Sequence, residues 1–395
     1  MNKKYVAIGL VAVLLASAGG AAYYKKTHEA SINVLGTTDI HGATSRAMIK
    51  YVEDKRKNGG ADLVVDSGDF WGSETYEMQE WFDGTRPTFD ENGRVRFYGK
   101  DLDGDGFNET DSDINGDDIP DMIVEKIGEP RQGQAPLIRD LEKMKFDSVT
   151  LGNHEFVENS QEEFDYLVNE LNKANISVLS ANLYNNKTNK NVVKPYIVKE
   201  IKEGPNTIKA AVLGLTLPEV AEPYKWEEGK ERPTYTGDYS LASLEQYNNQ
   251  YRLDDLVKEA NKWTKYIKEN ENPDVVILTV HSGEEPKKPR HPGNKVKEIA
   301  RTVEGIDAIV AGHTHITIQQ HEFKNEKTGK KVLVTQPSAR GGGISDIDLN
   351  LKKKNGKWTV VSAKSKVKEL DIFDGSKVDY EKTPMSEVYK KGYRL

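Results

Sequence analysis

Five short clusters in this sequence bring together residue types that hold metals and move protons. Five of the chain's eight histidines lie in them, accompanied by two aspartates, an asparagine and several glycines. One such histidine alone would more often have a structural role, but five clusters favour a shared site. The sequence contains no cysteine, so imidazole, carboxylate and amide groups must hold any metal. The clusters are Asp39-Ile40-His41, Gly68-Asp69, Gly152-Asn153-His154-Glu155, His281-Ser282-Gly283 and Gly312-His313-Thr314-His315.

The same residue types are sufficient for two metal ions. Imidazole and carboxylate ligands suit zinc, manganese, iron or nickel, and their spacing does not choose among these metals. Two histidines and an aspartate for each ion, with one shared carboxylate, would hold a pair. Ions in such sites lie about 3.5–4 Å apart, stabilise both oxygens of an in-line displacement and lower the pKa of a bound water toward about 7. The clusters therefore predict hydrolytic chemistry.

Predicted strands precede these clusters. Short β-like runs alternate with amphipathic helical stretches from about residue 31 to residue 370, which is the pattern of an α/β fold. Loops beyond the C-terminal ends of such strands are where open α/β sheets bind ligands. The predicted strands are 32–35, 63–66, 148–151, 177–181, 208–215, 275–280 and 306–311, and the predicted helices are 46–56, 137–145, 161–174 and 253–269.

The end of this region has a different pattern. Residues 331–336, 344–351 and 358–365 are typical of consecutive strands, and Asn355-Gly356 predicts a tight turn between the last two.

In this order, the clusters resemble the successive motifs of calcineurin-like metallophosphoesterases. The resemblance covers about residues 31–370 and is greatest to the exported 5′-nucleotidases and 2′,3′-cyclic-nucleotide phosphodiesterases. It implies an α/β fold, a four-layer αββα sandwich of two mixed sheets. It also implies hydrolysis of phosphate esters, nucleotides among them, by in-line attack of a hydroxide that bridges two divalent transition metals. The motifs that carry the resemblance are Thr37-Thr38-Asp39-Ile40-His41-Gly42, Asp66-Ser67-Gly68-Asp69, Gly152-Asn153-His154-Glu155-Phe156, Lys194-Pro195-Tyr196-Ile197, Val212-Leu213-Gly214-Leu215-Thr216, His281-Ser282-Gly283 and Gly312-His313-Thr314-His315.

The resemblance implies a role for each matched residue. His154 would not bind a metal; it would assist departure of the leaving-group oxygen, as an imidazole beside two dications can. Asn153 would bind a metal and neutralise phosphoryl oxygens. Asp66 and Glu155 are weaker candidates for holding the ligands in place. The implied ligands are Asp39, His41 and His315 for one metal, Asn153, His281 and His313 for the other, and Asp69 as the bridge.

Two features depart from the family pattern. Family nucleotidases usually orient the catalytic histidine with an aspartate where this chain has Val157, which cannot accept a hydrogen bond. Another residue (Glu158 is next along the chain), a backbone carbonyl or no group at all would then orient His154. Residues 371–395 are expected to form a short C-terminal tail in place of the base-binding domain of family nucleotidases. Base recognition would then be weak; the candidates for contacting a base are Trp71 above all, Tyr76, Trp81 and residues 224–226.

An acidic insertion at residues 101–125 interrupts the predicted domain at 31–370. It contains ten acidic side chains and no basic one. Oxygen-bearing side chains at alternate positions followed by glycine are what a calcium loop requires. The insertion contains two copies of this pattern, at residues 101–109 and 113–121. Both resemble thrombospondin type 3 calcium loops, although Asp118 stands where the second copy would have a glycine. A solvated acidic loop is the alternative. The suspected calcium ligands are Asp101, Asp103, Asp105, Glu109, Asp113, Asn115, Asp117 and Asp121.

Residues 1–26 have the pattern of an export signal. Lys3 and Lys4 precede an apolar run, and Ala16-Ser17-Ala18 resembles a cleavage site. Because the apolar-to-neutral run continues to Tyr24, an uncleaved membrane anchor is the alternative. Both readings predict an exported protein, whether periplasmic, extracellular or anchored at the outer face of the cytoplasmic membrane.

The composition of the chain limits the kinds of molecule that it can bind. The net charge of −7 argues against a nucleic-acid polymer, which requires a basic surface. No feature implies a protein partner, and membrane contact would come only from the N-terminal anchor. The sequence thus predicts a metal-dependent phosphoric ester hydrolase acting on small phosphoesters, in nucleotide catabolism. A sulfur-ester hydrolase of the same fold and a non-catalytic, metal-bearing surface binding module are the alternatives.

Overall fold

The computed structural model describes residues 27–91, 96, 99, 123–221, 223–225, 234–286 and 293–370 of the 395 residues. The predicted signal or anchor at 1–26, the suspected calcium ligands between Asp101 and Asp121 and the predicted tail at 371–395 lie outside the described residues. Within the ranges that are described, no helix is long and apolar enough to cross a lipid bilayer.

Strands make up most of the regular structure. In chain order they are β1 (Glu29–Thr37), β2 (Leu63–Asp66), β3 (Thr85–Pro87), β4 (Val124–Lys126), β5 (Ser148–Thr150), β6 (Ser177–Leu179), β7 (Leu183–Asn185), β8 (Tyr196–Glu203), β9 (Asn206–Thr216), β10 (Tyr224–Lys225), β11 (Thr234–Tyr235), β12 (Tyr251–Leu253), β13 (Val275–His281), β14 (Ala308–Ala311), β15 (Thr317–Lys324), β16 (Lys331–Pro337), β17 (Gly343–Lys354) and β18 (Lys357–Glu369).

Two six-stranded mixed sheets form the centre of the fold. The first has the order β18-β17-β1-β2-β5-β6, in which β1, β2, β5 and β6 run parallel and the hairpin β17–β18 is antiparallel to β1. The second has the order β15-β16-β14-β13-β9-β8, with four parallel strands between antiparallel edges. The parallel strands of each sheet therefore end at a common edge, where loops can gather side chains.

Helices cover the outer faces, and side chains at their first turns fix where they begin. Ser160 accepts a hydrogen bond from Glu163 N in a reciprocal capping box, and Asp255 accepts one from Lys258 N. The helices are α1 (Arg46–Lys57), α2 (Tyr76–Asp83), α3 (Pro136–Lys143), α4 (His154–Val157), α5 (Gln161–Lys173), α6 (Leu256–Asn270) and α7 (Val296–Thr302), with short 3₁₀ turns at Leu241–Ser243 and Glu245–Tyr247.

Alternate residues of each strand pack on opposite sides of its sheet, which produces four layers. Val34 in β1 packs with Val212 and Val310 of the second sheet, so this cluster fills the space between the sheets. Leu35, the next residue, belongs to a cluster with residues of α1, α3 and α5. A third cluster joins Leu213 and its neighbours to α6 and α7. The predicted αββα sandwich is confirmed, because period-two burial leaves each sheet apolar on both faces.

The predicted elements agree closely with those found. Asn355 and Gly356 have φ of 52° and 79°, the left-handed conformation of the tight turn that the sequence predicts between β17 and β18. The predicted helix at 253–269 begins later, at Leu256, because Asp255 caps it and the residues before the cap form β12, which pairs with β7. Sequence patterns did not predict β8 or β15, the two edge strands of the second sheet, or the helices α2, α4 and α7. The short strands β3, β4, β7, β10, β11 and β12 were not predicted either.

Candidate metal centre

The predicted ligands lie where parallel strands end. Asp39 and His41 follow β1, Asp69 follows β2, and Asn153 follows β5, all in the first sheet. In the second sheet His281 is the last residue of β13, while His313 and His315 follow β14. Strands of both sheets thus deliver side chains to one edge of the sandwich.

One group of ligand atoms joins Asp39, His41 and His315. The Nε2 atoms of the two histidines are 3.1 Å apart, and His315 Nε2 lies 3.4 Å from Asp39 Oδ1. The three side chains can place one ligand atom each within 4.8 Å of the others. Burial lowers the pKa of His41, which favours the neutral imidazole that binds a metal.

A second group joins Asp69, His281, His313 and Asn153. Asp69 Oδ2 lies 3.0 Å from His281 Nε2, and Asn153 Oδ1 lies 3.1 Å from both His281 Nε2 and His313 Nδ1. Burial alone would raise the pKa of Asp69, but the surrounding imidazoles lower it well below its usual range. The carboxylate is therefore held in its charged, ligand form.

Asp69 occupies the position between the two groups. Its carboxylate comes within metal-ligand range of His281 and His313 on one side and of His41 and His154 on the other. Imidazole nitrogens, carboxylate oxygens and an amide oxygen form a donor set that suits divalent transition metals. The residues present therefore fit a pair of such ions.

The backbone at these residues is strained. Asp39, His41, Asp69, His313 and His315 have φ between 50° and 72°, the left-handed region that non-glycine residues seldom adopt. Such conformations cost about 1–3 kcal/mol each and persist where the surroundings impose them, most often at functional sites. The strain thus identifies the same edge as the ligand geometry does.

Neighbouring groups orient two of the ligands. His281 Nδ1 lies 3.0 Å from Ser67 O, which leaves Nε2 to face Asp69 and Asn153. Asp39 accepts hydrogen bonds from the Thr38 hydroxyl at 2.8 Å and from His313 N at 3.1 Å. These contacts fix the orientation of the His281 ring and of the Asp39 carboxylate.

Glu155 connects the loops of the first sheet. Its buried carboxylate accepts hydrogen bonds from Gly152 N at 2.5 Å, Trp71 N at 2.8 Å and Asp69 N at 3.1 Å. Burial, together with the charge of Asp69, raises its pKa to about 8. The side chain therefore holds the Asp69 loop against the Asn153 loop without itself reaching the ligand atoms.

His154 stands at the rim of the centre, and Glu158 orients it. Its Nδ1 lies 2.5 Å from Glu158 Oε1, one turn further along the chain, and its Nε2 lies 4.0 Å from Asp69 Oδ2. Burial lowers its pKa, but Glu158 and Asp69 outweigh that effect and raise it to about 9. Of the three alternatives that Val157 left open, the structure therefore shows the Glu158 contact.

The aromatic residues suggested for base contact are placed elsewhere. Trp71, Tyr76 and Trp81 are buried, and Trp71, at 1% exposure, packs against Trp81 and Phe82. The suggestion that Trp71 contacts a base is therefore wrong, because its ring is part of the core. Trp226 lies outside the described residues. Sequence reasoning also missed Arg340, which lies beside the centre in a loop with no recognisable motif.

Comparison with known proteins finds one matching family and several similar phosphoesterases. The family model described as "Bacterial capsule synthesis protein PGA_cap" matches residues 132–333, just over half of the chain. The chain is 29% identical over 249 residues to the trifunctional nucleotide phosphoesterase protein YfkN of Bacillus subtilis (strain 168), covering 60% of this chain. It is 27% identical over 249 residues to the 2′,3′-cyclic-nucleotide 2′-phosphodiesterase/3′-nucleotidase of Salmonella typhimurium, again covering 60% of this chain.

A solved structure shares the fold. The crystal structure of the calcineurin-like phosphoesterase YfkN from Bacillus subtilis matches with a TM-score of 0.57 and 21% identity, covering 86% of this chain and 91% of that chain. The matched segments take up only 15% and 34% of the two relatives' own lengths. The family model thus shows that the chain belongs to the PGA_cap family, and its fold is that of a calcineurin-like phosphoesterase.

Proposed function

We propose that this chain hydrolyses phosphate esters of small molecules, nucleotides among them, with two divalent transition metals. The observation that carries the proposal is the convergence of the other six predicted ligands, from both sheets, around Asp69. Asp39, His41 and His315 would hold one ion. Asn153, His281 and His313 would hold the other, and Asp69 would bridge the two. When bound, such ions supply Lewis-acid activation of water and of phosphoryl oxygens.

His154 would act on the leaving group. Its Nε2 faces the centre near Asp69, while its other nitrogen is engaged by Glu158. The carboxylates of Glu158 and Asp69 favour the protonated imidazole of His154. Its Nε2 therefore carries a proton that can pass to the departing alcohol oxygen. Glu158 would thus serve as the orienting group that family nucleotidases obtain from an aspartate.

Asn153 would combine two tasks. Its Oδ1 faces His281 and His313, as a metal ligand would. The amide NH₂ group of the same side chain is a hydrogen-bond donor that can meet a phosphoryl oxygen as negative charge develops there.

Export is proposed from the N-terminal sequence. Residues 1–26 combine a basic start, an apolar run and small residues, as an export signal or membrane anchor does. The acidic insertion would bind calcium in a structural role, since extracellular sites work with weak affinity. A small phosphoester is the proposed partner, and neither a nucleic-acid polymer nor a protein is proposed.

The experiment that tests the function is a substrate and metal panel with matched variants. Chelator-treated protein should be inactive and should regain phosphate release from p-nitrophenyl phosphate, nucleoside monophosphates and 2′,3′-cyclic nucleotides with Mn²⁺ or Zn²⁺. His281→Ala should lower kcat/KM by about 10³-fold, because loss of a ligand removes several kcal/mol of stabilisation from the transition state. His321→Ala is the control, because His321 is exposed and pairs with Glu284 outside the centre.

Three outcomes would contradict the proposal. Hydrolysis that survives chelation would exclude the metal centre as its source. Absence of phosphate release with any metal would favour the non-catalytic binding module. Faster release of sulfate than of phosphate from matched aryl esters would favour the sulfur-ester hydrolase.

A further inference from the structure

A cavity of about 440 Å³ lies beside the metal centre. His315, a proposed metal ligand, forms part of its wall, so an occupant of the cavity can also reach the centre. A phosphoryl group alone is far smaller than this volume, which lies in the range of small-molecule sites. The cavity therefore has room for the alcohol part of a phosphoester. The other lining residues that bear on its chemistry are Thr317, Ser338, Arg340, Val367 and Glu369.

Arg340 is fixed in this wall by its backbone. Its N–H donates a hydrogen bond of 2.6 Å to Asp39 O, directly beside the metal-ligand loop. Arg340 and Ser338 have φ of 57° and 77°, so the loop shares the left-handed backbone of the ligands themselves. The surroundings that impose this conformation hold the Arg340 backbone next to the centre, and the ion pair with Glu74 positions the guanidinium.

Most of the hydrogen-bond donors of the Arg340 guanidinium are not used by the residues that the structure describes. Its Nε lies 2.9 Å and 2.6 Å from the two carboxylate oxygens of Glu74. Its two terminal NH₂ groups make no hydrogen bond with any residue that the structure describes. A guanidinium carries five N–H donors in a rigid fork, and the four on the terminal groups match the two oxygens of a carboxylate or phosphate.

We infer that this cavity binds the alcohol part of the substrate and that Arg340 selects alcohols carrying a second anionic group. The substrate class is a phosphoester with a carboxylate or a further phosphate on its alcohol part. The scissile phosphate lies at the His315 end, and the second anion meets the terminal NH₂ groups of Arg340. Glu74 holds the guanidinium through Nε, and Glu369 on the same wall is available to accept hydrogen bonds from hydroxyl groups. This inference rests on the proposed function.

The kinetic test uses two substrates that differ by one carboxylate. 3-Phosphoglycerate carries a carboxylate where glycerol 3-phosphate carries a hydroxymethyl group, and each has one phosphoester. In the metal-loaded wild type, 3-phosphoglycerate should have about tenfold higher kcat/KM. Arg340→Gln should raise its KM about tenfold, with kcat within about twofold, and should leave glycerol 3-phosphate within about twofold, because a charge-assisted hydrogen bond is lost only with the first substrate.

A binding measurement provides a readout that does not depend on turnover. Titration calorimetry with 3-phosphonopropionate and propylphosphonate, which cannot be hydrolysed, compares the same two chemistries. Arg340→Gln should weaken 3-phosphonopropionate about tenfold and propylphosphonate less than twofold. Arg139→Gln is the matched control, since Arg139 is equally exposed and pairs with Glu77 away from the cavity; it should change neither.

The outcomes separate the two proposals. Equal losses with both ligands would overturn the inference, because Arg340 would then act on the phosphoryl group or on the loop. No loss with either ligand would overturn it as well. If the chain releases phosphate from no ester, the proposed function fails, while the calorimetric difference still decides whether Arg340 binds a second anion.

Discussion

Aspartates occupy both edges of the two sheets, but their carboxylates meet different partners. At the edge where the parallel strands end, Asp39 and Asp69 face imidazoles from other strands. We call this the ending edge, and the opposite edge, where the strands begin, the starting edge. At the starting edge each of four aspartates accepts a hydrogen bond from the backbone N–H of one residue in the adjacent strand. The backbone N–H of the aspartate in turn donates to the carbonyl of that same residue. These pairs are Asp62 with Asn33, Asp147 with Val64, Asp274 with Lys209 and Asp307 with Val276, at 2.8–3.0 Å.

The difference teaches what makes a buried carboxylate functional. At the starting edge each carboxylate is paired with the backbone of the adjacent strand, and none of the four aspartates itself has a positive φ. At the ending edge imidazoles and carboxylates from several strands converge on one region, and the backbone there is strained. Each carboxylate is therefore balanced by several imidazoles that it shares with the others. Local satisfaction stabilises the fold, whereas convergence leaves a place for an ion.

Asp69→Asn is the most severe test of the ending edge. The variant removes the charge shared by both proposed ions, so we expect kcat/KM to fall by more than about 10³-fold, beyond the loss from any single-ion ligand. Elemental analysis should find fewer than two metals per chain. Asp274→Asn, at the other edge, should retain both metals and full turnover. Two retained metals and near-normal turnover in Asp69→Asn would contradict the bridging role.

His154→Ala should separate acid catalysis from metal binding. We expect both metals to remain, with about a 10²-fold loss of kcat on alkyl phosphates and little loss on p-nitrophenyl phosphate, whose leaving group needs no proton. Equal losses on the two ester types would argue against the leaving-group role.

Glu158→Ala should resemble His154→Ala in a weaker form. The variant keeps the imidazole but removes its Nδ1 partner, so we expect about a tenfold loss on alkyl phosphates only. Glu162→Ala, a change of the same type within α5, serves as the control and should be unaffected. If alkyl phosphates are hydrolysed at the wild-type rate, Glu158 does not position His154.

The sequence predicted the ending edge better than the starting edge. Histidines and glycines after apolar runs are rare enough to stand out, so the clusters around His41 and His313 could be identified from their spacing. An aspartate before a strand, as at Asp147, looks like an ordinary turn residue until its partner strand is known. The sequence offers Glu158 as one alternative for orienting His154, but choosing it requires the helical turn at His154–Val157, which the sequence pattern did not predict. Arg340 depends on contacts between distant loops, which no local pattern contains.

Asp147→Asn tests the starting edge through stability. Its carboxylate is mostly buried and contacts Arg56 Nη2 at 2.7 Å, Val64 N at 2.8 Å and the Lys199 ammonium. Breaking such a network leaves two cations poorly paired, so we expect the free energy of unfolding to fall by about 3 kcal/mol. Denaturant titration measures this, and activity per folded molecule should be unchanged. If Asp147→Asn lowered activity without lowering the free energy of unfolding, the starting edge would serve function and this prediction would be contradicted.

Asp307→Asn should change how stability depends on pH. Burial raises the pKa of Asp307 from 3.8 to about 6, so between these pH values the folded chain binds more protons than the unfolded chain. The free energy of unfolding contributed by this group therefore falls as pH rises from about 4 to 6. Since one pKa unit corresponds to about 1.4 kcal/mol, the loss should be about 2 kcal/mol.

The variant should remove that loss without removing the pairing. The amide oxygen of an asparagine can still accept the hydrogen bond from Val276 N, which Asp307 accepts at 3.0 Å, but it carries no charge to desolvate. Asp307→Asn should therefore be more stable than the wild type at pH 7 and similar to it at pH 4, as measured by denaturant titration at both values. Asp54→Asn, which removes an exposed carboxylate paired with Lys50, is the control for a general change in net charge. A parallel pH profile in Asp307→Asn and the wild type would mean that this carboxylate is as well satisfied when charged as when neutral, and the starting edge would then carry no electrostatic cost.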